Sequence, residues 1–144
     1  MIRRTRSDDG ILTITIDNTT SANALRPGML DALIYAFEAA ADNQELRGVL
    51  LTSAGHKGFS AGMDTSQFKH ANASLAHVTI TRLGQVCEAI KNCDLPVAVA
   101  IEGYRIGGAA EIAAAADFRV GGTNSWYSMP EVRIGIPSVL ESVN

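Results

Sequence analysis

The chain has 144 residues, 47% of them hydrophobic and 19% charged, with a formal net charge of -3. That is enough chain to bury one real core and too little for two comfortable ones, so residues 1–144 are read as a single unit. The slightly acidic balance, with no basic run beyond a few residues, excludes a nucleic-acid footprint and favours small-molecule partners. The basic start, Met1-Ile2-Arg3-Arg4-Thr5-Arg6, has no apolar core of the kind a signal peptide needs, and no apolar run is long enough to span a bilayer. No membrane association is therefore expected. Cys87 and Cys93 suit neither a zinc site nor a disulfide and read as packing residues in a reducing, cytoplasmic setting.

In chain order, residues 2–6 and 11–17 form a hairpin around Asp8-Asp9-Gly10, with Leu12, Ile14 and Ile16 alternating onto one face. After a polar loop at 18–23, Pro27 opens a helix in which Met29, Leu30, Leu33, Ile34, Phe37 and Ala40 recur with helical spacing. Residues 47–52 make a short apolar strand, the first sign of a parallel crossover. Residues 55–64 read as a glycine-rich loop at that strand's carboxyl end, the end at which open α/β sheets bind ligands. Residues 65–76 read as a loop or short helices, and 78–91 as a helix facing inward through Ile80, Leu83, Val86, Cys87 and Ile90. His56, His70 and His77 lack ligand spacing and read as solvated, so no metal is expected.

The stretch Gly103-Tyr104-Arg105-Ile106-Gly107-Gly108-Ala109-Ala110-Glu111 holds the candidate chemistry. A strand at 96–101 leads through a tight turn into an alanine-rich helix, 112–116. The first N–H groups of a helix lack partners within it, and glycine at 107 and 108 leaves them open to approach, a setting that favours developing negative charge. Glu111 stands in the first turn, within reach of whatever those amides hold. Turn geometry and the helix dipole would by themselves also favour glycines and a glutamate here. Further on, 117–121 reads as a strand, 122–124 as a turn and 126–128 as another extended piece, after which Pro130 puts Glu131 at a strand-end turn. Pro137 opens a last short helix, whose apolar Val139, Leu140 and Val143 need a packing partner.

Four motifs in order resemble the crotonase, or enoyl-CoA hydratase/isomerase, superfamily. They are Ser21-Ala22-Asn23-Ala24-Leu25, Lys57-Gly58-Phe59-Ser60-Ala61-Gly62-Met63-Asp64, Gly103 to Glu111, and Met129-Pro130-Glu131-Val132-Arg133-Ile134-Gly135-Ile136-Pro137. The resemblance implies an α/β fold, a spiral of strand-strand-helix repeats, that binds an acyl-CoA thioester. It assigns the oxyanion-holding amides to Met63 and Gly108, and to Glu111 and Glu131 the two carboxylates that hold a water, leaving open which is acid and which is base. Lys57 and Ala61, with Ala24 in the Asn23-Ala24-Leu25 turn, match the part that meets the nucleotide end of coenzyme A, and Asp64 is placed with them as substrate-binding. The implied reaction is reversible addition of water to a 2-enoyl-CoA, with no cofactor beyond the coenzyme A of the substrate. An isomerase, which needs one base, and a non-catalytic coenzyme A-binding remnant are the alternatives; a Rossmann-type binder is disfavoured because Gly103 to Gly108 lacks the G-x-G-x-x-G spacing. Met63 replaces a usual alanine, and Ala109 a common glycine.

Chains of this family continue past 134–137 into helices that close the acyl pocket and build a trimer. The resemblance thus implies a core truncated at its C-terminus, lacking that helical part. A family-like homotrimer is expected only with it present, and the 144-residue chain alone is expected to self-associate or to be poorly stable, with little activity.

Overall fold

Alternation of branched apolar and polar side chains at the N-terminus gives the expected hairpin. In a computed structural model that describes residues 1–68 and 73–134, β1 (Ile2–Arg6) pairs antiparallel with β2 (Ile11–Ile16), Ile2 lying opposite Ile16. Ile14 and Ile16 are buried. Pro27 occupies the start of α1 (Pro27–Ala41), where its missing N–H costs nothing because that donor would be unpaired anyway. The buried face of α1 is Met29, Leu30, Leu33, Ala36, Phe37 and Ala40. Ile34 is only half-buried.

β3 (Gly48–Ser53) lies parallel to β2, completing the crossover. The next stretch corrects the sequence reading. Residues 58–60, read as part of a glycine loop, form β4 (Gly58–Ser60), and all three are buried. Residues 104–106, read as part of a tight turn, form β6 (Tyr104–Ile106), which follows β5 (Val97–Ile101). Three-residue strands are too short to display a period of two, so only pairing with neighbours makes them strands.

A 3-10 turn (Thr65–Phe68) follows β4, and α2 (Ala73–Lys91) starts earlier than its pattern suggested. Its inward face includes Leu83, Val86, Cys87 and Ile90 as expected, but Thr79 is buried (3% exposed) and Ile80 is not (46%). Ile80 shares a flank with Cys87, two turns on; neighbouring elements cover that flank at Cys87, which is 2% exposed, and leave it open at Ile80. α3 (Gly108–Ala114) begins directly after Gly107. β7 (Phe118–Gly121), β8 (Trp126–Ser128) and a 3-10 turn (Pro130–Ile134) follow, so Glu131 lies in a short helical turn rather than a bare strand-end turn. His70 and the helix read at 137–143 lie outside the described residues.

The strands sort into two sheets, one ordered β1-β2-β3-β5-β7 and the other β4-β6-β8. Apart from β1, every pairing in both is parallel. From β3 onward each repeat lays one strand in the larger sheet, the next in the smaller, and then a helical segment, so the chain advances as a spiral. One hydrophobic core joins the layers, with Ile14, Leu33, Phe37, Leu51, Phe59, Val86, Val99 and Ile112 at its centre. Among the described residues no helix is long and apolar enough to cross a membrane, and Cys87 and Cys93 form no disulfide.

Candidate active site

Because β4, β6 and β8 run parallel with β6 in the middle, their carboxyl ends open along one edge. Met63, Gly108 and Glu131 each stand two or three residues past those ends, at Ser60, Ile106 and Ser128. Three positions separated widely in sequence thus become neighbours, at the end of the sheet where α/β folds bind ligands.

The loop after β4 lies against the loop after β6. Gly62 has a φ of +84°, and a Cβ there would stand 2.5 Å from the carbonyl oxygen of Ile106 and 3.7 Å from the amide nitrogen of Gly108. Only glycine fits this conformation and this contact. Leu25 brackets Met63: its N–H donates to the Gly62 carbonyl at 2.7 Å, and its own carbonyl accepts from Asp64 N–H at 2.8 Å. In such a parallel bridge the intervening residue turns its own N–H the other way. Among the described residues neither Met63 N–H nor Gly108 N–H has a hydrogen-bond acceptor.

A buried polar pin fixes this loop from behind. Ser60 Oγ donates to the Asn23 carbonyl at 2.7 Å and accepts from Gly62 N–H at 3.1 Å. Asn23, in the left-handed region at φ 54°, donates through Nδ2 to the carbonyls of Ala54 (2.9 Å) and Gly58 (3.2 Å). The two residues fall inside motifs quoted above, but nothing in their spacing announced that they bond to each other. The one signal was a polar side chain, Asn23 or Ser60, beside small residues in each motif.

Glu111 sits in the first turn of α3, 7% exposed, its N–H directed to the Gly107 carbonyl at 3.3 Å. Glu131 packs its carboxylate onto Gly107, whose backbone (φ 53°, ψ -125°) is open only to glycine and whose missing side chain leaves the space that Glu131 Oε1 occupies. Glu131 Oε2 is buried with no hydrogen-bond partner among the described residues. Such an atom costs about 1–3 kcal/mol unless something supplies a donor, which marks it as a group that awaits one. Gly107 N–H donates to the Ser128 carbonyl at 2.8 Å, so the ends of β6 and β8 are tied together beside the Glu131 carboxylate.

The remaining sequence-predicted residues are placed differently. Asp64 pairs with Arg26 at 3.0 Å and accepts from Ser66 N–H (3.1 Å) and Oγ (2.6 Å); the Ser66 bond first, then Arg26, holds its carboxyl below the usual range. Its side chain is thus occupied in fixing the loop. Ala24 is buried with its N–H on Ser21 and its carbonyl accepting from Asn18 Nδ2, and Ala61 donates to the Ala22 carbonyl. Lys57 is exposed and precedes β4, so the strand separates it from Met63. A groove of about 820 Å³ between α1 and α2, lined by Phe37, Glu38, Arg82 and Glu88 among others, includes none of the site residues. The strand ends, with two amides that lack acceptors among the described residues and the buried Glu131 carboxylate, make the stronger claim to chemistry.

The sequence profile of the enoyl-CoA hydratase/isomerase family matches residues 6–140. The chain belongs to that family. Among curated members of the enoyl-CoA hydratase/isomerase family it is similar to the short-chain-enoyl-CoA hydratase of Clostridium acetobutylicum, 31% identical over 88% of this chain and 48% of that protein. It is also similar to the carnitinyl-CoA dehydratase of Salmonella enteritidis, 37% identical over 88% of this chain and 48% of the relative. The solved structure of an enoyl-CoA hydratase from Bacillus anthracis superposes with a TM-score of 0.91 at 25% identity, covering 95% of this chain and 53% of the other. The chain therefore spans about half the length of the relatives it matches, and over that half it has the crotonase fold.

Proposed function

We propose that this chain carries the reacting centre of an enoyl-CoA hydratase, with Met63 N–H and Gly108 N–H as the oxyanion donors and Glu111 and Glu131 as the acid–base pair. The observation that carries the reading is the convergence of two amides without acceptors among the described residues and the buried Glu131 carboxylate on the ends of adjacent parallel strands, with Glu111 in the first turn of the helix that begins at Gly108. A thioester carbonyl held by both amides gains charge as the bond between C2 and C3 is attacked. A fixed donor aimed at that charge in a dry site is worth about 2.7–4 kcal/mol. One carboxylate takes a proton from water as its oxygen bonds to C3, and the other gives a proton to C2 of the enolate, so one water is added and no electrons are transferred. The relatives' names, a hydratase and a dehydratase of CoA thioesters, support the same chemistry in its two directions.

The test is 2-butenoyl-CoA added to the chain as it stands and to the chain joined to the second half of the Clostridium relative. Hydration lowers the absorbance of the conjugated thioester and yields a 3-hydroxyacyl product by mass. Glu111→Gln and Glu131→Gln should each lower kcat about 10² to 10⁴-fold with little change in thioester affinity. Double-bond migration without a hydroxy product would replace the reading with an isomerase, and binding without turnover in either protein would replace it with a coenzyme A-binding module.

A further inference from the structure

Gly108 has no Cβ, yet unlike Gly62 and Gly107 its φ is not positive. Its backbone conformation would accept alanine, so something other than strain excludes a side chain. That something is Leu83 of α2, since a Cβ on Gly108 would stand 2.8 Å from Leu83 Cδ2 and 3.3 Å from Cδ1. Leu83 is itself only 6% exposed and belongs to the central core, so its methyls have nowhere to swing. The neighbouring Arg82 adds an ion pair to Asp31 of α1 at 3.0 Å, which helps hold the helix that carries Leu83.

From this contact we infer that Leu83 is a positioning residue for the Gly108 amide, through which α2 sets where that donor stands relative to Met63. The inference rests on the reading of the site given above. The Gly108 N–H begins α3 and is placed from one side by the Gly62 turn, 3.7 Å from the space a Gly62 side chain would take. Leu83 fills the space into which a Gly108 side chain would project, with Cδ2 2.8 Å from that Cβ position, so a shift of either residue moves the start of α3 and turns the N–H. A misplacement of about 1 Å at a reacting group costs on the order of 10²-fold in rate.

Three variants test this: Gly108→Ala, Leu83→Val, which removes both colliding methyls, and the two combined. The readouts are kcat, KM and the infrared carbonyl stretch of bound 2-butenoyl-CoA, which falls in frequency when the oxyanion donors polarise it. Gly108→Ala should lower kcat about 10²-fold and return the band toward its free position, with KM changed less than about threefold. Adding Leu83→Val should recover at least tenfold of the lost kcat and most of the band shift. Leu83→Val alone, which keeps glycine at 108 but removes the side chain held to position its amide, should weaken the band shift measurably at unchanged affinity, and it decides the matter if Gly108→Ala does not fold. A parent protein that binds thioester with no band shift, or binds none, refutes the reading of the site. A parent with a shifted band and a Leu83→Val variant with the same shift, or a double variant no better than Gly108→Ala, overturns the role of Leu83 alone.

Discussion

Replacing Ser60 with alanine is the sharpest test of how the loop carrying Met63 is held. Ser60 is fully buried, and its hydroxyl satisfies two backbone groups at once, the Asn23 carbonyl at 2.7 Å and the Gly62 N–H at 3.1 Å. Neither group has another partner among the described residues. Alanine leaves both desolvated, at about 1–3 kcal/mol each, so a loss of about 2–4 kcal/mol is expected once the loop relaxes a little. At roughly 4 °C per kcal/mol for a chain of this size, the melting temperature should fall by about 8–16 °C. Ser53→Ala is the matched control. Its hydroxyl reaches the Gly58 carbonyl only at 3.4 Å from a half-buried position, and should cost under about 1 kcal/mol. Urea unfolding of the two variants beside the parent gives the comparison directly. If Ser60→Ala and Ser53→Ala lose the same small amount, the pin is decorative and the loop is held by packing alone.

Two further outcomes follow from the titrating groups. Burial raises the Cys93 thiol, so iodoacetamide should modify it more slowly in the folded protein than in the unfolded chain across pH 7–9, while the buried Cys87 stays unmodified; equal rates in the two states would contradict the placement. Asp64 is held below its ordinary value of 3.8 by Ser66 and then Arg26, so its contribution to stability is present above that value and fades as pH falls through the lowered one. Asp64→Asn should therefore be less stable than the parent at pH 7, with the gap closing below about pH 3.8. A gap independent of pH would mean that the carboxylate charge is not what Ser66 and Arg26 recognise.

Much of the larger sheet and its helices was legible from local pattern alone. Ile14 and Ile16 alternate, Leu30, Leu33 and Phe37 recur at helical spacing, and Val97, Val99 and Ile101 mark a buried strand, because each of these elements is long enough to show its own period. The sequence also put Gly108 and Glu111 at a helix start and Glu131 beyond a proline. What it could not show is the second sheet. β4 and β6, at three residues each, are too short to display a period, and although 126–128 read as extended, all three form a sheet only because each lies beside another contributed by the next turn of the spiral. That pairing brings Met63, Gly108 and Glu131 to one edge, seats Glu131 on Gly107, and sets Ser60 against Asn23 and Leu83 against Gly108. Residue types and turn chemistry are local and travel with the sequence. Which strand ends share one edge depends on contacts between residues dozens of positions apart, and those exist only once the layers have closed on one core.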